Sequence, residues 1–164
     1  MKRILFAALT AAALFSDGIL QSLNAQNMEI PKKVSPFPVG DKLPEQFSKY
    51  FIGQAWLAPL TDDKRLNAPV SNVTFSPGCR NNWHIHHGAG QILLCTAGRG
   101  YYQEWGKEAQ ELSAGDVVNI PPEVKHWHGA APDSWFQHIA LSVPGENSGC
   151  EWQEPVTSEY EILK

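Results

Sequence analysis

Apolar residues in this chain recur in short runs, several of which alternate with polar residues, and turn-forming residues separate the runs. Alternation is typical of a half-buried strand, because successive side chains point to opposite faces of the sheet. About eight short strands are predicted, among them residues 51–57, 68–75, 91–97, 100–105, 108–112, 117–120 and 135–143. Gly106 and Lys107 are predicted to form a hairpin turn between two of them. Since no stretch after the first 25 residues has a convincing amphipathic helical period, an all-β sandwich or barrel is predicted.

The first 25 residues have a different pattern. Two basic residues precede an apolar run over residues 4–15, and a more polar stretch follows. This order is typical of a secretory signal peptide, with cleavage expected after Ala25, although Leu23 is larger than the residue usually preferred at its position. A membrane anchor would need about 20 apolar residues, and Asp17 ends the run too early for that. Residues 1–25 are therefore interpreted as a signal peptide, and the mature protein is expected to be periplasmic or secreted.

The rest of the chain is long enough for one domain with its own core. Residues 26–50 are rich in proline and lysine and are predicted to form an extended arm, and residues 51–164 are predicted to form the domain and its C-terminal tail. The formal charge of −4 provides neither a basic patch for nucleic acid nor an attraction to an anionic membrane. We therefore expect a small-molecule substrate, with no nucleic acid partner and no membrane contact in the mature form.

Cys79, Cys95 and Cys150 are the three cysteines of the chain. An odd number allows at most one intramolecular disulfide in an oxidising compartment. Their spacing matches neither a zinc ribbon nor a CxxC redox pair, and isolated core or surface residues are the favoured interpretation. Whether any pair forms a disulfide stays open at this point.

All six histidines lie between positions 84 and 138. His84 and His86 are two residues apart, so in a strand their imidazoles lie on one face, and His126 and His128 repeat this spacing. Gln91 follows the first pair after Gly88-Ala89-Gly90, a turn that can direct its side chain to the same face. Because histidine is the commonest metal ligand, this pattern predicts a metal site.

The spacing of these residues resembles the two sequence motifs of the cupin family. The first motif corresponds to Gly78, five residues, His84-Ile85-His86, four residues, Gln91, six residues and Gly98. The second corresponds to Gly115, five residues, and the run from Pro121 to His126. Two positions differ from the family pattern, since Gln91 replaces the usual glutamate and Glu123 replaces a glycine.

The resemblance implies an all-β fold, the double-stranded β-helix or jelly roll of the cupin barrel, and one divalent metal ion inside it. Carried over by position, the ligands are His84, His86, Gln91 and His126. Manganese is the expected ion, and iron, zinc, nickel and copper are the alternatives. A neutral amide in place of a carboxylate leaves the full double positive charge on the ion, which makes it a stronger Lewis acid but holds it less tightly. A decayed, metal-free site is the competing interpretation of Gln91.

A closer resemblance covers residues 122–132 and His138, which are similar to small bacterial cupins that include manganese-dependent hydroxynitrile lyases. Members of that group also use three histidines and a glutamine. The resemblance implies that His128 and His138 lie near the metal as catalytic proton-transfer groups. In the last predicted strand His138 shares a face with Ala140 and Ser142, whose small side chains leave room for a ligand.

Three functions are compatible with this pattern. The first is a metal-dependent enzyme, lyase- or isomerase-like, that acts on a small oxygenated organic molecule by Lewis-acid and histidine acid–base catalysis. The second is a cupin dioxygenase, and the third is a non-catalytic periplasmic protein that binds a small molecule or carbohydrate. A homodimer is expected from the family.

Overall fold

The computed structural model describes residues 35–163, and the predicted signal peptide and residues 26–34 of the predicted arm lie outside the described residues. The elements follow one another along the chain as β1 (Asp41–Lys42), α1 (Glu45–Ser48), β2 (Phe51–Ile52), β3 (Ala55–Pro59), a 3-10 turn (Lys64–Leu66), β4 (Val70–Phe75), β5 (Arg80–Asn81), β6 (His84–His87), β7 (Gly90–Glu104), β8 (Gln110–Ser113), β9 (Val117–Ile120), β10 (His126–Ala130), β11 (Phe136–Val143), β12 (Gly149–Trp152) and α2 (Ser158–Glu161).

The strands of the described residues form a curled antiparallel sheet. The main path through it runs β1-β3-β4-β11-β7-β10-β5-β2, while β8 and β9 pair with β7, and β6 pairs with β10 and β12. The two helices have four residues each. The strand pattern predicted an all-β sandwich or barrel, and the all-β class is confirmed. Of the two architectures, the curled sheet is the barrel that the cupin resemblance implied. The predicted hairpin is also confirmed, because β7 and β8 pair on either side of Gly106.

The central strand of the sheet, β7, is longer than predicted. Residues 91–97 and 100–105 were expected to form two strands, but one strand of 15 residues covers nearly all of both. Its first half pairs with β9 and β11, and its second half pairs with β8 and β10. The strand bends at Gly98, which has φ of +72° and no room for a side chain beside the backbone carbonyl of Trp135. Gly98, which follows the predicted strand 91–97, therefore lies at a bend within one strand and does not end it.

Two hydrophobic clusters cover the two faces of the curled sheet. One lies inside the barrel, where Phe75, Leu93, Leu112 and Phe136 are among its fully buried members. The other lies outside and is closed by the C-terminal segment. It consists of Trp83, Tyr101, Trp127, Ala131, Val156 and Tyr160. In β10, Trp127 belongs to this outer cluster, whereas its neighbours His126 and His128 do not.

The C-terminal segment is held by specific contacts. Arg80 donates a hydrogen bond from Nε to the Val156 carbonyl at 2.9 Å, and its guanidinium lies 4.0 Å from the ring centroid of Tyr160. The Tyr160 hydroxyl donates to the Ala130 carbonyl at 2.6 Å. No helix in residues 35–163 is long and apolar enough to span a membrane.

Candidate metal centre

The barrel contains a cavity of about 260 Å³. Aromatic and aliphatic side chains form most of its wall, among them Phe51, Trp56, Val73, Phe75 and Trp152. The polar part of the wall consists of Ser71, Asn81, His84, His86, Gln91, His128 and Ser142. The polar groups converge in a largely apolar surrounding, which is the usual composition of a small-molecule site.

His84 and His126 lie directly opposite each other in the pairing of β6 with β10, and their ring centroids are 4.1 Å apart. Each ring is oriented by a backbone carbonyl two residues earlier. His84 Nδ1 lies 3.0 Å from the Asn82 oxygen, and His126 Nδ1 lies 2.8 Å from the Val124 oxygen. A carbonyl only accepts hydrogen bonds, so both Nδ1 atoms carry the proton. The Nε2 atoms of both rings therefore carry a free lone pair, which is the state that binds a metal.

His86 and Gln91 complete the polar end of the cavity. The His86 ring lies 5.1 Å from that of His84 and 5.4 Å from that of His126, measured between centroids. Gln91 is brought to the same wall by the turn predicted from the glycines, in which Gly88 has φ of +59°. His86 Nε2, Gln91 Oε1 and His126 Nε2 are buried and have no hydrogen-bond partner. Of these three residues, His86 and Gln91 line the cavity, and His126 packs directly against His84 and His86 without lining it. Unpaired buried atoms are costly unless a ligand pairs with them.

Burial keeps these imidazoles neutral. It is the main reason why the pKa of His84 is well below its usual range and why that of His126 falls to about 4. Burial also lowers the pKa of His86, although the neighbouring Gln91 side chain acts to raise it. A neutral imidazole is the form that coordinates a cation, because protonation occupies the lone pair.

A profile of the Cupin domain matches residues 71–135. The (R)-mandelonitrile lyase of Granulicella tundricola is 42% identical over 112 residues, which span 67% of this chain and 84% of that protein. The chain belongs to the cupin family.

Solved structures agree with this assignment. A cupin-like protein from Thermotoga maritima is 44% identical, with a TM-score of 0.71 over 78% of this chain and 96% of that one. A cupin-2 domain protein from Rhodospirillum rubrum is 17% identical, with a TM-score of 0.60 over 83% of this chain and 88% of that one, and it supports the fold alone.

The second histidine of β10 also lies in this region of the cupin. His84, His126 and His128 each offer a ring nitrogen, and these atoms lie within 4.8 Å of one another, so the three could hold a metal ion. Asn81 Nδ2, however, lies 3.0 Å from His128 Nε2 in the buried wall. Sequence reasoning did not single out Asn81. Its side chain reaches the cavity because β5 pairs with β10, a long-range contact that no local pattern shows.

His138 lies deeper than its strand parity indicated. Ala140 and Ser142 line the cavity as predicted, but His138 is fully buried and is not part of the cavity wall. Its ring lies 4.9 Å from that of His128 and is enclosed by Phe75 and Phe136, with centroids at 5.4 and 5.1 Å. Neither ring nitrogen has a hydrogen-bond partner, and burial lowers the pKa of His138 to about 3. Its shortest route to a ligand is through His128.

His87 does not line the cavity, since in a strand its side chain lies on the face opposite to His84 and His86. It bonds to Glu123 at 2.6 Å and to Glu151 at 2.9 Å, and Glu123 in turn accepts from the Gly88 amide. Glu123 occupies the glycine position of the second cupin motif and has φ of +67°, a conformation that favours glycine. Its side chain thus ties the turn before Gln91 to the segment before His126.

Proposed function

We propose that this cupin is a metal-dependent lyase that cleaves small neutral α-hydroxynitriles, with one divalent ion held by His84, His86, Gln91 and His126. The observation that carries the proposal is a set of unpartnered buried acceptors: His86 Nε2 and Gln91 Oε1 in the cavity wall, and His126 Nε2 beside it. The His126 ring packs against those of His84 and His86, which line the cavity. A divalent cation would give each of these atoms a partner, and the ring of His84, oriented in the same way as that of His126, adds a fourth donor.

Hydrogen bonding favours this ligand set over one that includes His128. The Nε2 lone pair of His128 faces the amide nitrogen of Asn81, whereas the lone pairs of His86 and His126 have no protein partner. Three imidazoles and one amide oxygen suit several first-row metals, and manganese is our proposal because the similar lyase group uses it with this donor set. When bound, the ion would supply Lewis-acid polarisation of a substrate hydroxyl oxygen and lower the pKa of that hydroxyl.

The cavity wall favours a neutral substrate. None of the described residues that line it is Asp, Glu, Lys or Arg, and aromatic side chains flank the metal end. Trp152 lies 4.8 Å from the ring of His84 and stacks on Tyr50 at 4.7 Å, so an apolar substituent can pack beside the reacting centre. A molecule with a hydroxyl and a nitrile on one carbon and an aryl or alkyl group fits this composition. The relative from Granulicella tundricola is named for such a substrate.

The proposed reaction splits the hydroxynitrile into a carbonyl compound and hydrogen cyanide. The bond between the carbinol carbon and the nitrile carbon breaks, its electron pair leaves with cyanide, and the hydroxyl proton ends on the cyanide. No oxidant or reductant is needed. We propose that His128 relays this proton from the cavity wall: its ring N–H proton passes to the cyanide, and the hydroxyl proton replaces it on the ring. His138 acts through His128, since the two rings are in contact and His138 does not reach the cavity.

The test is metal content together with cleavage of mandelonitrile, followed through benzaldehyde absorbance and released cyanide. We expect about one metal ion per chain after reconstitution with Mn(II). His126→Ala or Gln91→Ala should lose most of the metal and of the activity. His87→Ala is the matched control, because His87 belongs to the same strand as the ligands His84 and His86 but does not line the cavity, and this variant should keep both the metal and the activity.

Three results would overturn the proposal in different ways. Absence of bound metal after reconstitution would remove the metal site. Oxygen uptake with a bound substrate would point to the dioxygenase alternative. Saturable binding of a small molecule without turnover across a substrate panel would point to the non-catalytic alternative.

A further inference from the structure

Asn81 is a buried residue of the cavity wall whose side chain hydrogen-bonds to one of the histidines around it. It is 2% exposed and lies at the end of β5. Its Oδ1 accepts a hydrogen bond from the backbone amide of His128 at 2.9 Å, and its Nδ2 lies 3.0 Å from His128 Nε2. Both polar ends of this amide are thus directed at His128.

The two contacts determine where the proton of the His128 ring lies. The backbone amide of His128 is a donor, so the atom of Asn81 that faces it must be the carbonyl oxygen. The atom that faces Nε2 is then the amide nitrogen, which only donates. His128 Nε2 must accept this bond, and the proton of the neutral ring therefore lies on Nδ1. That Nδ1 is buried and has no hydrogen-bond partner among the described residues.

We propose that Asn81 is a positioning residue that holds His128 as its Nδ1–H tautomer, which keeps the His128 lone pair away from the metal and leaves the ring as a hydrogen-bond donor for the substrate. The inference rests on the metal site proposed above. The inference assigns different roles to His126 and His128, which belong to the same strand and the same HxH pattern. The carbonyl of Val124 orients His126 as a ligand, and the amide of Asn81 orients His128 as a donor.

The Nδ1–H group of His128 would stabilise negative charge in the proposed reaction. The nitrile carbon departs with a negative charge, and a neutral N–H group stabilises such charge by donating a hydrogen bond. If His128 were instead a metal ligand, one of its ring nitrogens would be fixed at the ion. Since the ring nitrogens of His84, His126 and His128 lie within 4.8 Å of one another, a local device is needed to keep the third imidazole out of the site.

Nitrogen-15 NMR of the histidine side chains tests the tautomer directly. The measurement uses the full chain, first after chelator treatment and then loaded with diamagnetic Zn(II), and His128→Gln assigns the signal. We expect the long-range proton–nitrogen pattern of a neutral Nδ1–H ring for His128. Asn81→Asp places an acceptor at Nε2 and should move the proton to that atom. Asn72→Ala removes another buried amide, which bonds to the Pro38 carbonyl, and should leave the His128 pattern unchanged.

A second readout is the coordination of the metal. In Asn81→Ala the lone pair of His128 is released, and X-ray absorption of the Zn(II)-loaded protein should show more nitrogen in the first shell than in the wild type. An Nε2–H pattern in the wild type would overturn the inference, and so would a pattern that does not change in Asn81→Asp. The tautomer is measured without turnover, so these results are independent of whether the cupin cleaves hydroxynitriles.

Discussion

Gly100→Ala is expected to destabilise the barrel because the new methyl group has no space. A Cβ atom at this position would lie 2.6 Å from the ring of Phe136 and 2.5 Å from the carbonyl oxygen of Gly129, whereas real Cβ atoms essentially never approach other atoms closer than 3.0 Å. Gly100 lies within β7 and does not have positive φ, so the cost is packing and not backbone strain. Overpacking of this kind typically costs about 1–3 kcal/mol.

One of the two close contacts is the side chain of Phe136, so a smaller residue at position 136 should partly restore the stability that Gly100→Ala loses. Phe136 is fully buried, and Phe136→Leu alone should cost about 1–2 kcal/mol through the space it leaves. In the double variant the leucine vacates the volume that the methyl group needs, so the free energy of unfolding should fall by about 0.5–1 kcal/mol less than the sum of the single changes. Rescue stays incomplete because the Gly129 carbonyl belongs to the backbone of β10.

Thermal and urea unfolding, followed by circular dichroism, measure these differences. A loss of 1 kcal/mol should lower the Tm by about 3–5 °C for a domain of this size. The control is Gly149→Ala, because Gly149 lies in β12 with no atom within 4 Å of a Cβ and without positive φ. If Gly100→Ala were as mild as this control, or if the two changes were additive, the packing around Phe136 and therefore around His138 would be different from that described.

Three further predictions concern the metal and the C-terminal segment. Mn(II) at about 100 times its Kd should stabilise the protein by about 2.7 kcal/mol, a rise in Tm of about 10 °C that chelator reverses and that His126→Ala abolishes. Gln91→Glu adds a buried negative charge. It should therefore lower the Tm of the metal-free protein but lengthen metal retention against a chelator, and equal retention in both proteins would contradict the assignment of Gln91 as a ligand. Tyr160→Phe leaves the buried Ala130 carbonyl without the hydroxyl at 2.6 Å and should cost about 1 kcal/mol in urea unfolding, whereas an unchanged midpoint would contradict a stabilising role for that bond.

The sequence alone determined the features that depend on local periodicity. The two-residue spacing in β6 placed His84 and His86 on one face because a strand alternates its side chains. The turn at Gly88 could be predicted since glycine adopts positive φ without strain. The all-β class followed from the number of short strands and the turn residues between them, and the choice of a barrel over a sandwich followed from the resemblance of the two motifs to the cupin family.

The tertiary structure decided which groups lie opposite these residues. Asn81 meets His128 only because β5 pairs with β10, and this contact distinguishes a donor from a ligand within the same HxH pair. His138 faces inward as its parity predicted, but Phe75 and Phe136 fill the space around it, so it lies behind the cavity wall. Strand pairing and depth of burial arise from contacts between residues far apart in the chain, and a two-residue period carries no information about them.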